Sequence, residues 1–283
     1  MIIIKQINKL RDELAIRRKA GKRIGLVPTM GYFHEGHLSL MDYARKKSDV
    51  VVVSLFVNPA QFGPDEDLEC YPRDFKRDEQ MAKERGVDII FYPDKDEMYP
   101  DPFFTYVITE ELSKVLCGSS RPIHFRGVTT IVAKLFNIVQ PDIAVFGRKD
   151  AQQAIIIKKM VEDLNFPVEV VIAPIVRDAD GLAMSSRNTY LSHEERKQAP
   201  IIYQALQKAV EMVQRGELDA GSVEYSIRQQ IETASLARIE YIKIVRERDL
   251  SPVKVIEPET YVAVAVWFGK TRLIDNVVLK ESI

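Results

Sequence analysis

Two histidines three residues apart, His34 and His37, stand inside the stretch 28–37, which reads P-T-M-G-Y-F-H-E-G-H. In the first turn of a helix that spacing puts both imidazoles on one side, where they can donate hydrogen bonds to a single phosphate. Gly31 and Gly36 admit backbone conformations closed to other residues and let a ligand come close. Helix N-terminal N–H groups just beyond favour an anion. The competing chemistry is half of a zinc site, which needs a third and a fourth ligand. The chain has 4 histidines and 2 cysteines, Cys70 and Cys117, which are not near each other in sequence. A phosphate site is therefore the chemistry these residues support.

A turn of this kind needs a strand before it and a helix after it. The apolar run 24–27 predicts the strand and the pattern over 38–47 the helix. Residues 49–57 (D-V-V-V-V-S-L-F-V) are nearly continuous in β-branched side chains, as in a parallel strand buried on both faces. Further strands are expected over 87–92, 142–146 and 168–172, with helices over 7–19, 74–85, 128–139 and 151–165 between them. Four segments then follow parallel strands: the His34–His37 turn, 58–63, 147–153 and 184–187. In a doubly wound sheet such segments gather round one crevice. Their residues sort into two jobs. His34, His37, Lys149, Ser185, Ser186 and Arg187 suit phosphate, whereas Asn58, Gln61 and Gln153 are neutral amides suited to hydroxyls and a carboxylate. The stretch 117–127 (C-G-S-S-R-P-I-H-F-R-G) places Arg121, His124 and Arg126 between glycines and reads as a mobile, anion-facing loop.

Beyond Tyr190 the pattern changes. A capping box at Ser192 and Glu195 opens a helix expected to run to about 215, a second covers about 220–235, and strand-like runs follow at 239–246, 261–267 and 271–279. The fold class is α/β: a Rossmann-like parallel-sheet N-terminal domain, 1–180, with a smaller α+β C-terminal domain, 181–283. Of 283 residues 46% are hydrophobic and 29% charged, and 40 basic against 41 acidic side chains leave a net charge of −1. That balance gives no support to nucleic-acid binding. Residues 1–5 hold too short an apolar run for a signal peptide, and no segment reaches membrane-spanning length, so a cytoplasmic protein without a membrane partner is expected. The two cysteines form no framework, which fits a reducing compartment.

Six motifs occur in order: P-T-M-G-x-x-H-E-G-H, F-V-N-P-x-Q-F-G, Y-P-R, R-P-x-H-F-R-G-V-x-T, F-G-x-K-D-x-Q-Q and G-L-A-M-S-S-R-N. Together they resemble the pantoate–β-alanine ligase family, of the nucleotidyltransferase superfamily with the H-x-G-H signature, and the likeness covers the whole chain. The resemblance implies a two-step ligation. Pantoate attacks the α-phosphorus of ATP to give pantoyl adenylate and pyrophosphate, and the β-alanine amine then displaces AMP to leave pantothenate. It further implies an ATP site of Met30, Gly31, Tyr32, Phe33, His34, Glu35, Gly36 and His37, completed by Gly147, Arg148, Lys149, Asp150, Val176, Met184, Ser185, Ser186 and Arg187. His37 is the implied proton donor, and His34, Lys149 and Arg187 join it on the phosphates. Gln61 and Gln153 are implied to hold pantoate, with Gln61 also bordering β-alanine; Asn58 and Arg121 complete the expected substrate set. Mg²⁺ is implied to accompany ATP, with Asp78 weighed as a ligand against a plain surface-helix aspartate. A homodimer is also implied.

Tyr32-Phe33, Ile123 and Arg148 depart from the usual family pattern, and Arg148 adds charge near the triphosphate. Two rival readings remain at this stage. One is another adenylyl-transferring enzyme of the superfamily: a mononucleotide adenylyltransferase, which would lack the two amide-bearing motifs, or an aminoacyl-tRNA synthetase fragment, which should show a basic tRNA-binding surface that a net charge of −1 does not support. The other is a non-catalytic nucleotide sensor, which could dispense with His34, His37 and Lys149 together.

Overall fold

The structure is a computed structural model that describes residues 1–64 and 66–280. Its chain divides into two compact units. The first comprises Met1–Lys114, Arg121–Arg148 and Ile156–Pro174; the second comprises Val115–Ser120, Lys149–Ile155 and Ile175 onward. The sequence places a single division at 180/181, whereas the second unit begins at Ile175 and also takes two short segments from the N-terminal half.

In chain order the first unit carries β1 (Ile2–Ile4), α1 (Ile7–Lys19), β2 (Ile24–Thr29), α2 (Glu35–Lys47), β3 (Val50–Leu55), α3 (Phe75–Glu84), β4 (Ile89–Phe91) and α4 (Lys95–Met98). The helical turn α5 (Cys117–Ser120) belongs to the second unit. Next come α6 (His124–Val139), β5 (Ile143–Gly147), α7 (Ala151–Asp163) and β6 (Glu169–Ala173). The six strands form one sheet in the order β1-β4-β3-β2-β5-β6, and every pairing is parallel. Chain order reverses between β2 and β5, which makes the carboxyl ends of those strands the switch point where ligands of such sheets bind.

Alternation along β3 explains why its β-branched run is buried on both faces. Val50 and Val52 join Leu10 and Leu14 of α1, the apolar face of α6 and Ile157 and Met160 of α7. Val51, Val53 and Leu55 join Leu38, Met41 and Ala44 of α2 and Ala82 of α3 in the opposite layer. A period of two on a doubly covered sheet gives each face its own apolar set. The strand β1 was not expected from the sequence. It is three residues long, pairs with β4, and is too short to show a period.

The second unit continues with α8 (His193–Gln198), α9 (Ile201–Gln214), α10 (Ala220–Ile231), β7 (Ala237–Arg246), β8 (Thr260–Phe268) and β9 (Thr271–Lys280). The capping box forms as expected, with Ser192 Oγ accepting from Glu195 N and Glu195 Oε2 accepting from Ser192 N. The helix expected to reach about 215 is instead interrupted at Ala199-Pro200, because proline lacks the N–H that would continue it. The strands form an antiparallel sheet, β7-β8-β9. One face of it, with Val262, Val264 and Val266, packs on Ile202, Leu206 and Ala209 of α9 and Val223 and Ile227 of α10.

Candidate active site

At the carboxyl end of β2 the chain turns sharply before entering α2. Gly31 (φ +84°) and Tyr32 (φ +52°) are both left-handed, a conformation uncommon for tyrosine. His34 is the N-cap of α2, and its Nδ1 accepts a hydrogen bond from Gly36 N at 3.1 Å. An accepting Nδ1 carries no proton, which places a hydrogen of the ring on Nε2. His37 follows in the first turn, and the two rings lie 4.1 Å apart between centroids. The imidazoles predicted to face one way do so.

The turn rests on Asp78 of α3. Its Oδ2 accepts from Tyr32 N at 2.6 Å and its Oδ1 from Phe33 N at 2.7 Å, and the residue is only 1% exposed. Burial pushes this carboxyl above its ordinary value, and the two backbone donors pull the other way. Asp78 is therefore not the surface aspartate weighed from sequence: it is buried, and each of its oxygens accepts from a backbone N–H. Glu35 also has a surface role: its carboxylate pairs with Arg85 at 2.9 Å.

A second group gathers after β3, where Pro59–Gln61 form a 3₁₀ turn. Asn58 Nδ2 donates to Gln61 Oε1 and to Gly127 O, both at 3.0 Å, and Asn58 Oδ1 accepts from Tyr99 OH at 2.7 Å. With both ends of its amide in use and 1% exposure, Asn58 holds the Gln61 side chain in place. Gln61 Nε2 donates to Met30 Sδ at 3.2 Å, a weak acceptor that a substrate oxygen can replace. Gly127 allows this closeness, because a Cβ there would lie 2.3 Å from Ala60 O.

The stretch read as an anion-facing loop is largely helical: Cys117–Ser120 form α5 and His124 opens α6. Arg121 is bound by Glu66, with Nε donating to Oε1 at 3.0 Å and Nη2 to Oε2. Burial alone would raise Glu66, yet Arg121 holds it below the ordinary carboxylate range. His124 Nδ1 donates to Gln61 O at 3.0 Å, which adds a further support to the same turn. Gly147 ends β5, and Arg148 starts a 3₁₀ turn, Arg148–Asp150.

The remaining expected residues lie in the second unit. Lys149 Nζ stands 3.5 Å from Asp150 Oδ1, and Lys149 O accepts from Asn276 Nδ2 at 3.1 Å. Gln153 is half-buried on the first turn of α7. Its neighbour Gln152 is structural, since Oε1 accepts from Cys117 N at 2.9 Å and Nε2 donates to Val115 O at 2.7 Å. Val176 and Met184 are joined by Met184 N donating to Val176 O at 3.0 Å. Ser185 caps the 3₁₀ turn Ser186–Tyr190 by accepting from Arg187 N at 3.3 Å. Arg177 clamps this loop, donating to Asp275 at 2.6 and 2.9 Å and to Gly181 O at 3.1 Å.

Sequence reasoning missed Tyr99, Glu66, Arg177, Asp275 and Asn276, all of which bond to expected site residues or to the segments that carry them. The aromatic-rich stretch around Tyr99 was visible, but its partner lies 41 positions away. Among the described residues no cluster of three or more His, Cys, Asp or Glu side chains is arranged to hold a metal ion. No helix among the described residues is long and apolar enough to cross a membrane.

A parallel sheet whose order reverses beside a capped H-x-G-H turn defines the H-x-G-H class of nucleotidyl-transferring enzymes. Within that class the assignment narrows further: a family model described as pantoate-beta-alanine ligase matches residues 2–278, and the chain belongs to that family. It is 53% identical over 280 residues to the pantothenate synthetase of Acetivibrio thermocellus, covering 99% of this chain and 100% of that one. It is 52% identical over 282 residues to that of Moorella thermoacetica, with 100% of both covered. The pantothenate synthetase structure from Thermus thermophilus superposes with a TM-score of 0.94 at 43% identity, over 99% of this chain and 100% of that one. A Francisella tularensis pantoate-beta-alanine ligase complexed with beta-gamma ATP and beta-alanine gives 0.79 at 32% identity, over 99% and 98%.

Proposed function

We propose that this chain condenses pantoate with β-alanine at the expense of ATP, through pantoyl adenylate, releasing pyrophosphate and then AMP. The observation that carries the reading is the capped turn at the end of β2, where His34 Nδ1 accepts from Gly36 N and the His37 ring lies against that of His34. In the first step a pantoate carboxylate oxygen forms a bond to the α-phosphorus and the bond to pyrophosphate breaks. Negative charge grows on the departing oxygens, and the donors assigned to meet it are His34, His37, Lys149 and Arg187. His37 gives its proton to that leaving charge. Met30, Gly31 and Gly36 line the nucleotide with Gly147, Val176, Met184, Ser185 and Ser186, while Tyr32 and Phe33 shape the turn.

Gln61 and Gln153 hold the hydroxy acid. Gln61 exchanges its weak contact with Met30 Sδ for a substrate oxygen while Asn58 and Tyr99 keep its amide oriented. In the second step the β-alanine amine attacks the acyl carbon, AMP leaves, and the amine loses a proton. Mg²⁺, when bound, neutralises phosphate charge. Asp78, buried and accepting from two backbone N–H groups, fits it poorly, so substrate phosphates and water would hold the ion. The chain works as a cytoplasmic homodimer on these small molecules.

The test separates the first step from the second. Labelled pyrophosphate is expected to enter ATP when pantoate and Mg²⁺ are present and β-alanine is absent. Exchange driven by β-alanine without pantoate, or none with either, would overturn the reading.

A further inference from the structure

We propose that Asp78 is a positioning residue for the first ligation step: its carboxylate fixes the backbone that aims His34 and His37, and it takes no part in metal binding. The proposal rests on the reading of that turn as the phosphate site. Left-handed Tyr32 turns two successive N–H groups, its own and that of Phe33, the same way. Such a nest is ordinarily an anion site. Here the protein fills it with its own carboxylate, at 2.6 and 2.7 Å. Those two N–H groups are thereby withdrawn from ATP, and the imidazoles of the next turn are left to meet the phosphates.

Three further observations support the assignment. Asp78 is 1% exposed, so a charge there persists only with committed partners. A Cβ at Gly31 would lie 2.9 Å from Asp78 Oδ2 and 3.0 Å from Leu55, so glycine makes room for the carboxylate to reach the turn. Arg77, next to Asp78 on α3, lies with its Nη1 3.9 Å from Asp78 Oδ1 and its guanidinium over the Tyr32 ring, 5.1 Å from the centroid. One helix thus holds both the backbone and the side chain of Tyr32.

Asparagine at this position can accept with one oxygen only, and its amide would set a donor against the second N–H. In full-length Asp78→Asn the rate of pantoyl adenylate formation, read in a single turnover without β-alanine, is expected to fall about 10- to 100-fold through misplacement of the imidazoles. The Kd for ATP and the Mg²⁺ concentration for half-maximal rate are expected to stay within about threefold. Asp74→Ala is the stability control: it removes the α3 N-cap, where Asp74 accepts from Arg77 N at 3.1 Å, and is expected to lower Tm with the rate per folded molecule unchanged. A tenfold or greater rise in the Mg²⁺ requirement of Asp78→Asn, with the rate restored at high Mg²⁺, would make Asp78 a metal ligand. An unchanged rate per folded molecule would reduce it to a structural residue.

If Asp78→Asn does not fold, the wild-type protein still decides the matter. The Tyr32 and Phe33 amides are expected to be protected from hydrogen exchange by about 100-fold or more, with and without Mg²⁺ and ATP. Unprotected amides, or amides released when Mg²⁺ and ATP bind, would overturn the anchor. Failure of the wild-type chain to form the adenylate would instead sink the proposed ligation, with the amide measurement unaffected.

Discussion

The turn at the end of β2 and the loop from Ile175 to Arg187 carry the residues proposed to meet phosphate, lie in different units, and each contain a left-handed glycine, Gly31 at φ +84° and Gly181 at φ +92°. They are fixed by opposite means. The first continues a strand paired on both sides, so its direction is already set and only two N–H groups remain to be held, by Asp78. The second has no ladder beyond an isolated bridge between Arg177 and Ala183, and a charged side-chain clamp takes its place. Arg177 binds Asp275 through two bonds and lies over the Tyr203 ring, 3.7 Å from its centroid. Asp275 is almost fully buried, and burial pushes its carboxyl upward against the pull of Arg177. Where the sheet directs a segment, one carboxylate accepting from two backbone N–H groups suffices; where it does not, a desolvated ion pair substitutes.

The largest expected effect breaks the clamp on one side. Asp275→Ala leaves the Arg177 guanidinium buried without its carboxylate and is expected to cost about 3–5 kcal/mol, read as a fall in the urea midpoint. An Arg177→Met, Asp275→Leu double variant should recover most of that stability while loosening the loop. A single-variant loss below about 1 kcal/mol would place the pair with exposed salt bridges and erase the contrast.

Next come the histidines of the first turn. His37→Ala is expected to lower kcat by about 10²- to 10³-fold with ATP affinity nearly unchanged, as for loss of one preorganised donor. His34→Ala should do the same and also cost about 1 kcal/mol of stability, because His34 caps α2. A collapse of ATP affinity with kcat intact would make both ground-state ligands.

Adjacent glutamines sharpen the distinction between binding and holding. Gln153→Ala is expected to weaken pantoate by about 1–3 kcal/mol, seen as a raised pantoate KM with the ATP KM and urea midpoint steady. Gln152→Ala should do the reverse, since its amide joins Cys117 N to Val115 O. A shift in pantoate KM from Gln152→Ala alone would exchange their roles.

The smallest effect concerns pH. On the second-unit sheet Glu240 accepts from Arg272 Nε at 2.8 Å, Trp267 Nε1 at 2.6 Å and Ser120 Oγ at 2.8 Å. Burial would raise this carboxyl, but Arg272 above all, with Ser120 and Trp267, holds it down from 4.5 to about 2. A carboxylate held low in the folded state contributes stability above its unfolded pKa and loses it as pH falls. After solvent screening, about 1–2 kcal/mol should disappear between pH 4.5 and about 2. Glu240→Gln should flatten that part of the profile, and an unaltered acid limb would remove Glu240 from the account.

Much of this protein is written locally. The β-branched run of β3, the strand-turn-helix around His34 and His37, the capping box at Ser192 and the hairpin from β8 to β9 follow from side-chain period and turn chemistry, which neighbouring residues determine by themselves. The six motifs carried the family in the same way. Tertiary structure decided what each polar group has left to offer. Asn58 reads as a substrate amide until Tyr99 and Gly127 take both its ends, and Arg121 reads as an anion-binding cation until Glu66 claims it. Asp78 reads as a surface or metal-binding carboxylate until Tyr32 and Phe33, 46 and 45 positions away, occupy both oxygens. The division of Val115–Ser120 and Lys149–Ile155 into the second unit was equally invisible. The physical reason is common to the three side chains: what a hydrogen-bonding group can still offer depends on the partners it already has, and those partners arrive only when distant segments pack.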